Sequence, residues 1–268
     1  MIGSVCWNLT PACNKNCEYC FRELNETAQV LETNMGILNN LYNMGIKRIT
    51  FSGGEPFLYP NILELIKAAH DLGISCEVIT NGAGLNEDNY DEYLQYVDKI
   101  SFSCDSPRAY INDQIGRGAD SYEHIKELLP LIRSKFNSSR LKININTVIT
   151  YDKSHEYEEL KYMITALKNE IIQFDIDKWK IIRFYPLRGK AKDNKELFWV
   201  PDEDFLEIKN KYKSDGPFLT VDVRDIKELD DNFVVSPCGL LKKSTNGVEE
   251  VLVDLKPAKD FKGGERRV

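Results

Sequence analysis

Three cysteines lie close together near the start of the chain, directly after the first strand-like segment. Cys13, Cys17 and Cys20 are separated by three and then two residues. This spacing lets one short loop wrap an iron–sulfur cluster and present one thiolate to each of three irons. The fourth iron of a 4Fe–4S cluster would then be free to bind a ligand that is not protein.

A structural zinc site is the alternative for these thiols. Such a site needs four protein ligands, commonly two cysteine pairs or a cysteine pair with a histidine pair. The sequence has no second Cys-x2-Cys pair, and His70, His124 and His155 lie singly in helix-like stretches. A zinc-stabilised binding module without catalysis is therefore kept as a separate hypothesis.

Two further segments could contact a ligand. The segment SGGEP, residues 52–56, follows the second strand-like run. Its glycines, Gly53 and Gly54, allow the backbone to approach a ligand closely, and Glu55 can accept a hydrogen bond from an ammonium group. Asn81 follows the third strand-like run and is placed either to face the same cavity or simply to form a turn.

Strand-like and helix-like segments alternate along most of the chain. The predicted strands cover residues 4–10, 47–52, 75–80, 99–105, 141–149 and 178–185, and the predicted helices cover 33–44, 62–72, 89–97, 122–136 and 156–169. This order predicts parallel strands joined by right-handed crossovers. We expect an α/β fold with a partial (βα)6 barrel over residues 1–188. A C-terminal extension over residues 189–268 should contain a helix near 202–213 and short strands.

Alternating residue types predict which face of each strand points inward. Side chains alternate across a strand, and helices cover the outside of an α/β barrel, so the apolar sets should face the helices. The polar sets should then line an open cavity: Arg48, Thr50, Ser52, Ser101, Ser103, Asp105, Lys142, Asn144 and Asn146. A half-exposed antiparallel sheet would alternate in the same way and is the alternative.

Basic residues within this inner set indicate the charge of the ligand. Arg48 and Lys142 point inward by the alternation, and Lys180 on the sixth strand is placed to join them. The alternative is that Lys180 and Arg48 lie in solvent at the mouths of their strands. Converging cations in a partly dry cavity are costly without an anion. The pattern therefore favours a phosphorylated substrate.

Composition limits the class of protein. The 268 residues are 42% hydrophobic and 29% charged, with a net charge of −7, which is typical of a globular protein. We expect no nucleic-acid surface, because phosphate-backbone binding needs an excess of Lys and Arg. No apolar run reaches the length of a bilayer span and the start does not resemble a secretory signal. We expect a cytoplasmic protein whose seven cysteines serve metal or redox chemistry.

The cysteine segment resembles the signature of the radical S-adenosylmethionine superfamily, C-x3-C-x-aromatic-C, with Tyr19 as the aromatic residue. The resemblance implies a 4Fe–4S cluster on the three cysteines and S-adenosylmethionine on the open iron. It also implies cofactor contacts, including a site for the methionine amine at the glycine-rich segment and a pair between Arg117 and the methionine carboxylate. The implied contacts are Tyr19, Gly53, Gly54, Glu55, Asn81, Ser103 and Arg117.

Longer phrases resemble the viperin family within that superfamily. They are ITFSGGEPFL at 49–58, SCDS at 103–106, IGRG at 115–118, KIN at 142–144, WK at 179–180 and the tail FKGGER at 261–266. Viperins remove water from the ribose of a nucleoside triphosphate, giving a 3′-deoxy-3′,4′-didehydro product that terminates viral RNA chains. The resemblance therefore implies a lyase-type nucleotide dehydratase of antiviral defence. The alternative is a radical SAM enzyme that modifies a peptide or protein.

The viperin resemblance also implies substrate contacts and partners. The substrate would be CTP, UTP or GTP, and a flavodoxin or ferredoxin would supply single electrons. Arg48, Lys142 and Lys180 would hold the triphosphate, Asn144 would orient the ribose or phosphate, and Lys262 and Arg266 would close over it. The sequence departs from animal viperins at Cys6, usually Asn, and at Phe233, which aligns with a tyrosine, so the choice of base is left open.

Overall fold

A computed structural model describes residues 2–22, 24–150, 157–215, 219–225, 232–245 and 248–257. Strands and helices alternate through the first two thirds of the chain. The strands are β1 Ser4–Asn8, β2 Arg48–Ser52, β3 Ser75–Thr80, β4 Lys99–Ser103, β5 Lys142–Ile149 and β6 Lys178–Arg183. The helices are α1 Leu31–Asn43, α2 Ile62–Asp71, α3 Tyr90–Leu94, α4 Ala109–Gln114, α5 Ser121–Lys135 and α6 Tyr157–Ile171, with a 3₁₀ turn at Pro56–Leu58.

Among the residues that the structure describes, three helices and five strands follow β6. They are α7 Gly189–Asp193, α8 Lys195–Phe198, α9 Asp202–Tyr212, β7 Ser214–Asp215, β8 Thr220–Arg224, β9 Asn232–Val235, β10 Leu240–Thr245 and β11 Val248–Asp254. All the strands named here belong to one sheet with the order β11-β10-β9-β1-β2-β3-β4-β5-β6-β8-β7. The C-terminal strands thus extend the sheet at both of its edges. The domain boundary expected at residue 188 stays a prediction.

Neighbouring strands from β1 to β6 pair in parallel, as expected for crossovers through helices. Strand β8 continues the parallel pairing beyond β6, and β9 continues it beyond β1. The predicted α/β partial barrel is confirmed, and the alternative of an antiparallel sheet is wrong.

The apolar faces of the strands pack under the helices. Ile49, Phe51, Ile100, Phe102, Ile143 and Ile145 are buried in the main core, together with Trp7 and Trp179. Burial of such side chains supplies most of the stabilising free energy of a domain of this size. The polar residues between them lie on the opposite face, as the alternation predicts, and Ser101 and Asn144 there are themselves buried.

Two structural details were missed by the reading of the sequence. Strand β4 ends at Ser103, two residues before the predicted end, and Asp105 accepts a hydrogen bond from the backbone N–H of Val148 at 2.8 Å. The chain therefore turns at Asp105 and keeps contact with β5. The six-residue helix α4 has only Ile111 and Asn112 buried, which is too short a pattern to show a helical period.

The threonine at position 147 of β5 links the residue that follows β4 to strand β6. Its hydroxyl donates to the carbonyl oxygen of Cys104 at 2.5 Å and accepts from Nε1 of Trp179 at 2.9 Å. Thr147→Val keeps the shape but leaves both partners unsatisfied, so we expect it to lower the free energy of unfolding by about 1–3 kcal/mol. Urea denaturation measures this; Thr27→Val, at an exposed threonine, serves as the control and an equal loss there would contradict the assignment.

Candidate active site at the carboxyl edge of the sheet

The three predicted ligand cysteines lie on one loop after β1. All three are free thiols with partly exposed side chains. The backbone N–H groups of Asn16 and Glu18 donate to the carbonyl oxygens of Gly116 and Ile115, each at 3.0 Å. The turn after α4 therefore holds the cysteine loop through its main chain, independently of the side chains that the loop presents.

Glycine is required where these loops meet. A Cβ at Gly116, which has φ of 75°, would lie closer than 3.0 Å to the carbonyl oxygen of Asn16. A Cβ at Gly54 would collide in the same way with the carbonyl oxygen of Ala12. The backbone N–H of Glu55 donates to that oxygen at 2.8 Å. Gly54 thus permits close contact between two backbone segments, and its predicted approach to a ligand stays a prediction.

The Glu55 carboxylate is completely buried behind the loop. One oxygen accepts from the hydroxyl of Thr80 at 2.7 Å and from the N–H of Phe57 at 3.1 Å, and the other accepts from the N–H of Asn81 at 2.8 Å. Burial raises the pKa of Glu55, and these three donors oppose the rise. In this structure the side chain positions the end of β3 against the glycine-rich loop, and its predicted contact with an ammonium group stays a prediction.

Asn81 joins this glycine-rich region to the cysteine loop. Its amide nitrogen donates to Oδ1 of Asn14 at 2.8 Å and lies 3.7 Å from Sγ of Cys13, while its amide oxygen accepts from the N–H of Ala83 at 2.9 Å. Asn81 therefore both makes a turn and faces the cysteines, so the two alternatives drawn from the sequence occur together. Its contact with S-adenosylmethionine stays a prediction.

A buried ionic cluster lies on the other side of the cysteine loop. The Arg117 guanidinium contacts Asp105 and the hydroxyl of Tyr19, and its Nη1 donates to the carbonyl oxygen of Ser103 at 3.2 Å. Burial raises the pKa of Tyr19 well above its ordinary value, which keeps the phenol protonated. Burial by itself lowers the pKa of Arg117, but Asp105 and Tyr19 hold it well above the ordinary value. Tyr19, Ser103 and Arg117, three of the predicted cofactor contacts, therefore lie together, and Arg117 is already paired with Asp105.

The loop fits an anionic group bound by its thiolates. Nη1 of Arg22, two residues after Cys20, is buried and has no hydrogen-bond partner among the residues that the structure describes. Nη2 of the same guanidinium donates to the carbonyl oxygen of Lys15 at 3.3 Å, inside the cysteine loop. A buried, unpaired donor is costly, and a negatively charged cluster beside it would satisfy it. Cys13, Cys17 and Cys20 would hold such a cluster.

Predicted substrate residues line the inner face nearer the amino-terminal ends of the strands. Glu77, which the sequence reading did not single out, pairs with Lys99 at 2.6 Å and Arg48 at 3.7 Å and accepts from the hydroxyl of Thr50 at 3.1 Å. Glu77 is therefore a counter-ion for Lys99, and for Arg48, whose side chain is 53% exposed at the mouth of its strand. Lys99 and Glu77 could have been found from the alternation alone, because both fall at inward positions of their strands.

Two further lysines occupy different surroundings. Lys142 is 55% exposed and pairs with Asp177 at 2.8 Å. Lys180 is half-buried; burial lowers its pKa, and the positive charges of Lys99 and Arg224 lower it further. Lys180 therefore faces the cavity among other cations, whereas Lys142 lies at the rim with a partner of its own.

The remaining predicted residues divide into three groups. Asn144 is 4% exposed on the inner face. Lys262 and Arg266 lie outside the described residues. Of the two departures from animal viperins, Phe233 pairs with Lys243 across β9 and β10, and burial raises the pKa of the Cys6 thiol to about 11. Cys6 is therefore a protonated thiol on the inner face of β1.

Asn146 is an inner-face residue that the sequence reading did not select as a contact. Its Oδ1 is buried and has no hydrogen-bond partner among the described residues. It is adjacent to Ser103 on β4 and to Lys180 on β6 in the sheet register. An unsatisfied acceptor between Ser103 and Lys180, which are a predicted cofactor contact and a predicted substrate contact, is suited to receive a hydroxyl or ammonium group of a ligand.

Comparison with known proteins identifies the family. The sequence model of the radical SAM superfamily matches residues 7–164, which include the cysteine loop, the glycine-rich loop and the Arg117 turn. The chain belongs to the radical SAM superfamily. The predicted cofactors of this radical SAM protein, a 4Fe–4S cluster and S-adenosylmethionine, are thereby confirmed, and the zinc-module hypothesis is not supported.

Several relatives of this radical SAM protein carry one functional name. A Flammeovirga pacifica protein named S-adenosylmethionine-dependent nucleotide dehydratase is 28% identical over 255 residues, covering 92% of this chain and 84% of its own length. A Danio rerio protein named S-adenosylmethionine-dependent nucleotide dehydratase RSAD2 is 30% identical over 226 residues. The chain spans 59% of that relative's length, and 44% of a similarly named protein from Lacinutrix mariniflava.

Solved structures agree on the fold. Streptococcus suis SuiB bound to S-adenosylmethionine superposes with a TM-score of 0.65 at 17% identity, covering 90% of this chain and 60% of SuiB. The protein anSMEcpe with bound AdoMet superposes with a TM-score of 0.62 at 16% identity, covering 90% of this chain and 71% of anSMEcpe. Within the described residues, no helix of this radical SAM protein has the length and apolar character of a membrane span.

The close backbone contact at Gly116 gives a test of the site. We expect Gly116→Ala to lower the iron bound per chain after anaerobic reconstitution, because the new Cβ must displace the cysteine loop. Gly45 is a matched control: it also has a positive φ, of 83°, but a Cβ there would meet nothing within 4 Å. Equal iron content in both alanine variants would contradict the role given to the turn after α4.

Proposed function

We propose that the chain is a viperin-like nucleotide dehydratase, which removes water from the ribose of a ribonucleoside triphosphate to give the 3′-deoxy-3′,4′-didehydro analogue. The observation that carries this proposal is the group of cations on the inner face of the same sheet whose carboxyl edge holds the cysteine loop. The names of the relatives described above support the same reaction. We further propose that the product serves antiviral defence.

The sheet register supports a defined orientation of the nucleotide. Lys99 and Lys142 are adjacent on β4 and β5 near the amino-terminal ends, and Lys178 on β6 is adjacent to Asn144, two residues further along β5. The cysteine and glycine-rich loops follow the carboxyl ends of β1 and β2, and the Arg117 turn lies after α4 in the connection that follows the carboxyl end of β4. A triphosphate near the amino-terminal half would therefore leave the ribose pointing towards the cofactor loops.

Charge supports a polyanionic ligand in this cavity. Lys180 is half-buried; burial and the positive charges of Lys99, Arg224 and Lys178 disfavour its protonated form, and the negative charge of Glu77 partly opposes them. A bound triphosphate would relieve this repulsion, because each of its oxygens can accept a charge-assisted hydrogen bond. Arg48 and Lys142 would add contacts by releasing Glu77 and Asp177, and Lys262 and Arg266 would close over the phosphates from the tail.

When bound, the cluster and S-adenosylmethionine supply the radical that takes the 4′ hydrogen. The residues of this chain would position the ribose and exclude solvent from the site. Asn144 and Asn146 offer amide groups on the inner face between the cations and the cofactor loops, where a ribose hydroxyl would lie. The buried Glu55, Tyr19 and Arg117 would hold the glycine-rich and cysteine loops in position through their hydrogen bonds.

The partners follow from this chemistry. We propose CTP, UTP or GTP as the substrate and a flavodoxin or ferredoxin as the one-electron donor. Reduced thiols at Cys13, Cys17 and Cys20 suit a reducing compartment such as the cytoplasm. No described observation favours a peptide substrate, because the likeness to SuiB is a likeness of fold.

A panel of nucleotides tests the proposed function. The reconstituted, reduced protein is incubated with S-adenosylmethionine and each ribonucleoside triphosphate, and the products are identified by mass spectrometry. We expect one triphosphate to yield a product lighter by one water and to accelerate 5′-deoxyadenosine release. Release that is the same with every nucleotide and without any would contradict the proposal.

Lys180 gives a more specific prediction. Lys180→Gln removes a charged hydrogen-bond donor worth about 1.5–3 kcal/mol, so the KM for the nucleotide should rise by roughly 10–100-fold. Lys180→Arg keeps the charge and should recover most of the loss. Lys168→Gln on the outer helix α6 is the control, and 5′-deoxyadenosine release without nucleotide should be unchanged in all three. An unaltered KM in Lys180→Gln would remove this lysine from the substrate site.

A further inference from the structure

Arg22 follows the last cysteine of the loop by two residues. Nη1 of its guanidinium is buried and has no hydrogen-bond partner among the described residues. Nη2 donates to the carbonyl oxygen of Lys15 at 3.3 Å. Because Lys15 lies midway between the first two cysteines in the chain, the charged end of Arg22 lies against the part of the loop that carries them.

Other cations around the cysteine loop each have a carboxylate partner. The pairs are Lys15 with Asp120 at 3.2 Å, Lys190 with Glu18 at 2.8 Å, and Arg117 with Asp105. Within the part of the chain that the structure describes, Arg22 forms no ion pair with a carboxylate. Its positive charge is therefore available to an anion bound by the loop.

Helix α7 packs on the backbone that carries Arg22. The N–H of Ala191 donates to the carbonyl oxygen of Cys20 at 3.1 Å, and a Cβ on Gly189 would lie 2.9 Å from the carbonyl oxygen of Arg22. Nη1 is itself shielded from solvent. A buried donor without a partner is costly, and salt screens a buried charge much less than an exposed one. The guanidinium can therefore act strongly on a charge beside it.

The thiol of Cys13 already lies among hydrogen-bond donors. The N–H of Lys15 is 3.4 Å from its Sγ, and Nδ2 of Asn81 is 3.7 Å from the same atom. Hydrogen bonds to the sulfurs and the net charge around an iron–sulfur cluster set its reduction potential. Three thiolates leave a 4Fe–4S cluster negatively charged, and reduction adds one further negative charge. A fixed positive charge beside the cluster therefore favours the reduced state.

We propose that Arg22 is a redox-tuning residue, whose guanidinium raises the reduction potential of the cluster held by the three cysteines. A sulfur of the cluster would accept the hydrogen bond that Nη1 now lacks. In the step concerned, one electron passes from an external one-electron reductant to the cluster, no bond forms or breaks, and Arg22 keeps its proton. The inference concerns the cluster alone and does not depend on the identity of the substrate.

A redox titration followed by electron paramagnetic resonance measures this potential in the anaerobically reconstituted holoenzyme without S-adenosylmethionine. Arg22→Gln should disfavour the reduced state by about tenfold at a given applied potential, which is a fall of about 59 mV in the midpoint of a one-electron couple. Arg22→Lys keeps the charge and should recover more than half of this shift. Arg140→Gln is the control, because exposed Arg140 also donates to backbone carbonyl oxygens, those of Val97 and Gln95, but lies near the amino-terminal ends of the strands.

The possible outcomes separate redox tuning from assembly of the loop. A potential that is the same in Arg22→Gln as in the unaltered protein, or that falls equally in Arg140→Gln, would overturn the proposal. The signal comes only from chains that hold a reduced cluster, so partial loss of iron does not prevent the measurement. Loss of all iron in Arg22→Gln would assign the residue to assembly of the loop and would also overturn the proposal.

S-adenosylmethionine carries a carboxylate that could accept from the same guanidinium. Equilibrium dialysis of S-adenosylmethionine against the holoenzyme distinguishes the two acceptors. We expect Arg22→Gln to leave the Kd unchanged while it shifts the potential. A weaker Kd with an unchanged potential would place Arg22 on S-adenosylmethionine and overturn the proposal. Because neither measurement includes a nucleotide, failure here is distinct from failure of the dehydratase assignment.

Discussion

The site depends on direct contact between backbones at the carboxyl edge of the sheet. The cysteine loop, the glycine-rich loop and the turn after α4 approach so closely that Gly54 and Gly116 have no space for a side chain. Main-chain hydrogen bonds then fix the loop that carries the cysteines. Because backbone geometry sets these contacts, the thiols are free to serve as ligands and are not needed to hold the loop.

Charged groups behind the loops have a positioning role. Glu55 is buried with three donors, and Arg117 is buried against Asp105 and Tyr19. Removing one partner of such a group leaves an unsatisfied charge in the interior, so these groups allow few alternative arrangements. The inner face shows the opposite condition, since Lys180 lies among other cations and Asn146 has an unsatisfied oxygen. The charged groups behind the loops have their partners without a ligand. The inner face, in contrast, would be stabilised by binding one.

The sequence predicted the strands whose polar and apolar residues alternate clearly. It also indicated the three cysteines as candidate ligands from their spacing. Strand β3 was placed at its observed bounds, and the inward and outward residues of β2, β4 and β5 followed from alternation. It did not predict that strands after Arg188 join both edges of the sheet, because long-range pairing leaves no local pattern. Nor did it predict that Glu55 and Arg117 would be paired inside the protein, since a motif shows which residue is present and not which partner it meets. Glu77 and Asn146 were within reach of the alternation argument but needed the cavity to distinguish them.

In the proposed complex a nucleotide lies in the cavity with its ribose facing the cofactor loops. Isotope transfer tests this directly: the substrate triphosphate is supplied with deuterium at the 4′ carbon, and the 5′-deoxyadenosine formed is examined by mass spectrometry. We expect one deuterium in the 5′-deoxyadenosine and none when the label is placed on the base. Unlabelled 5′-deoxyadenosine from the 4′-deuterated nucleotide, under conditions where that nucleotide is consumed, would contradict it.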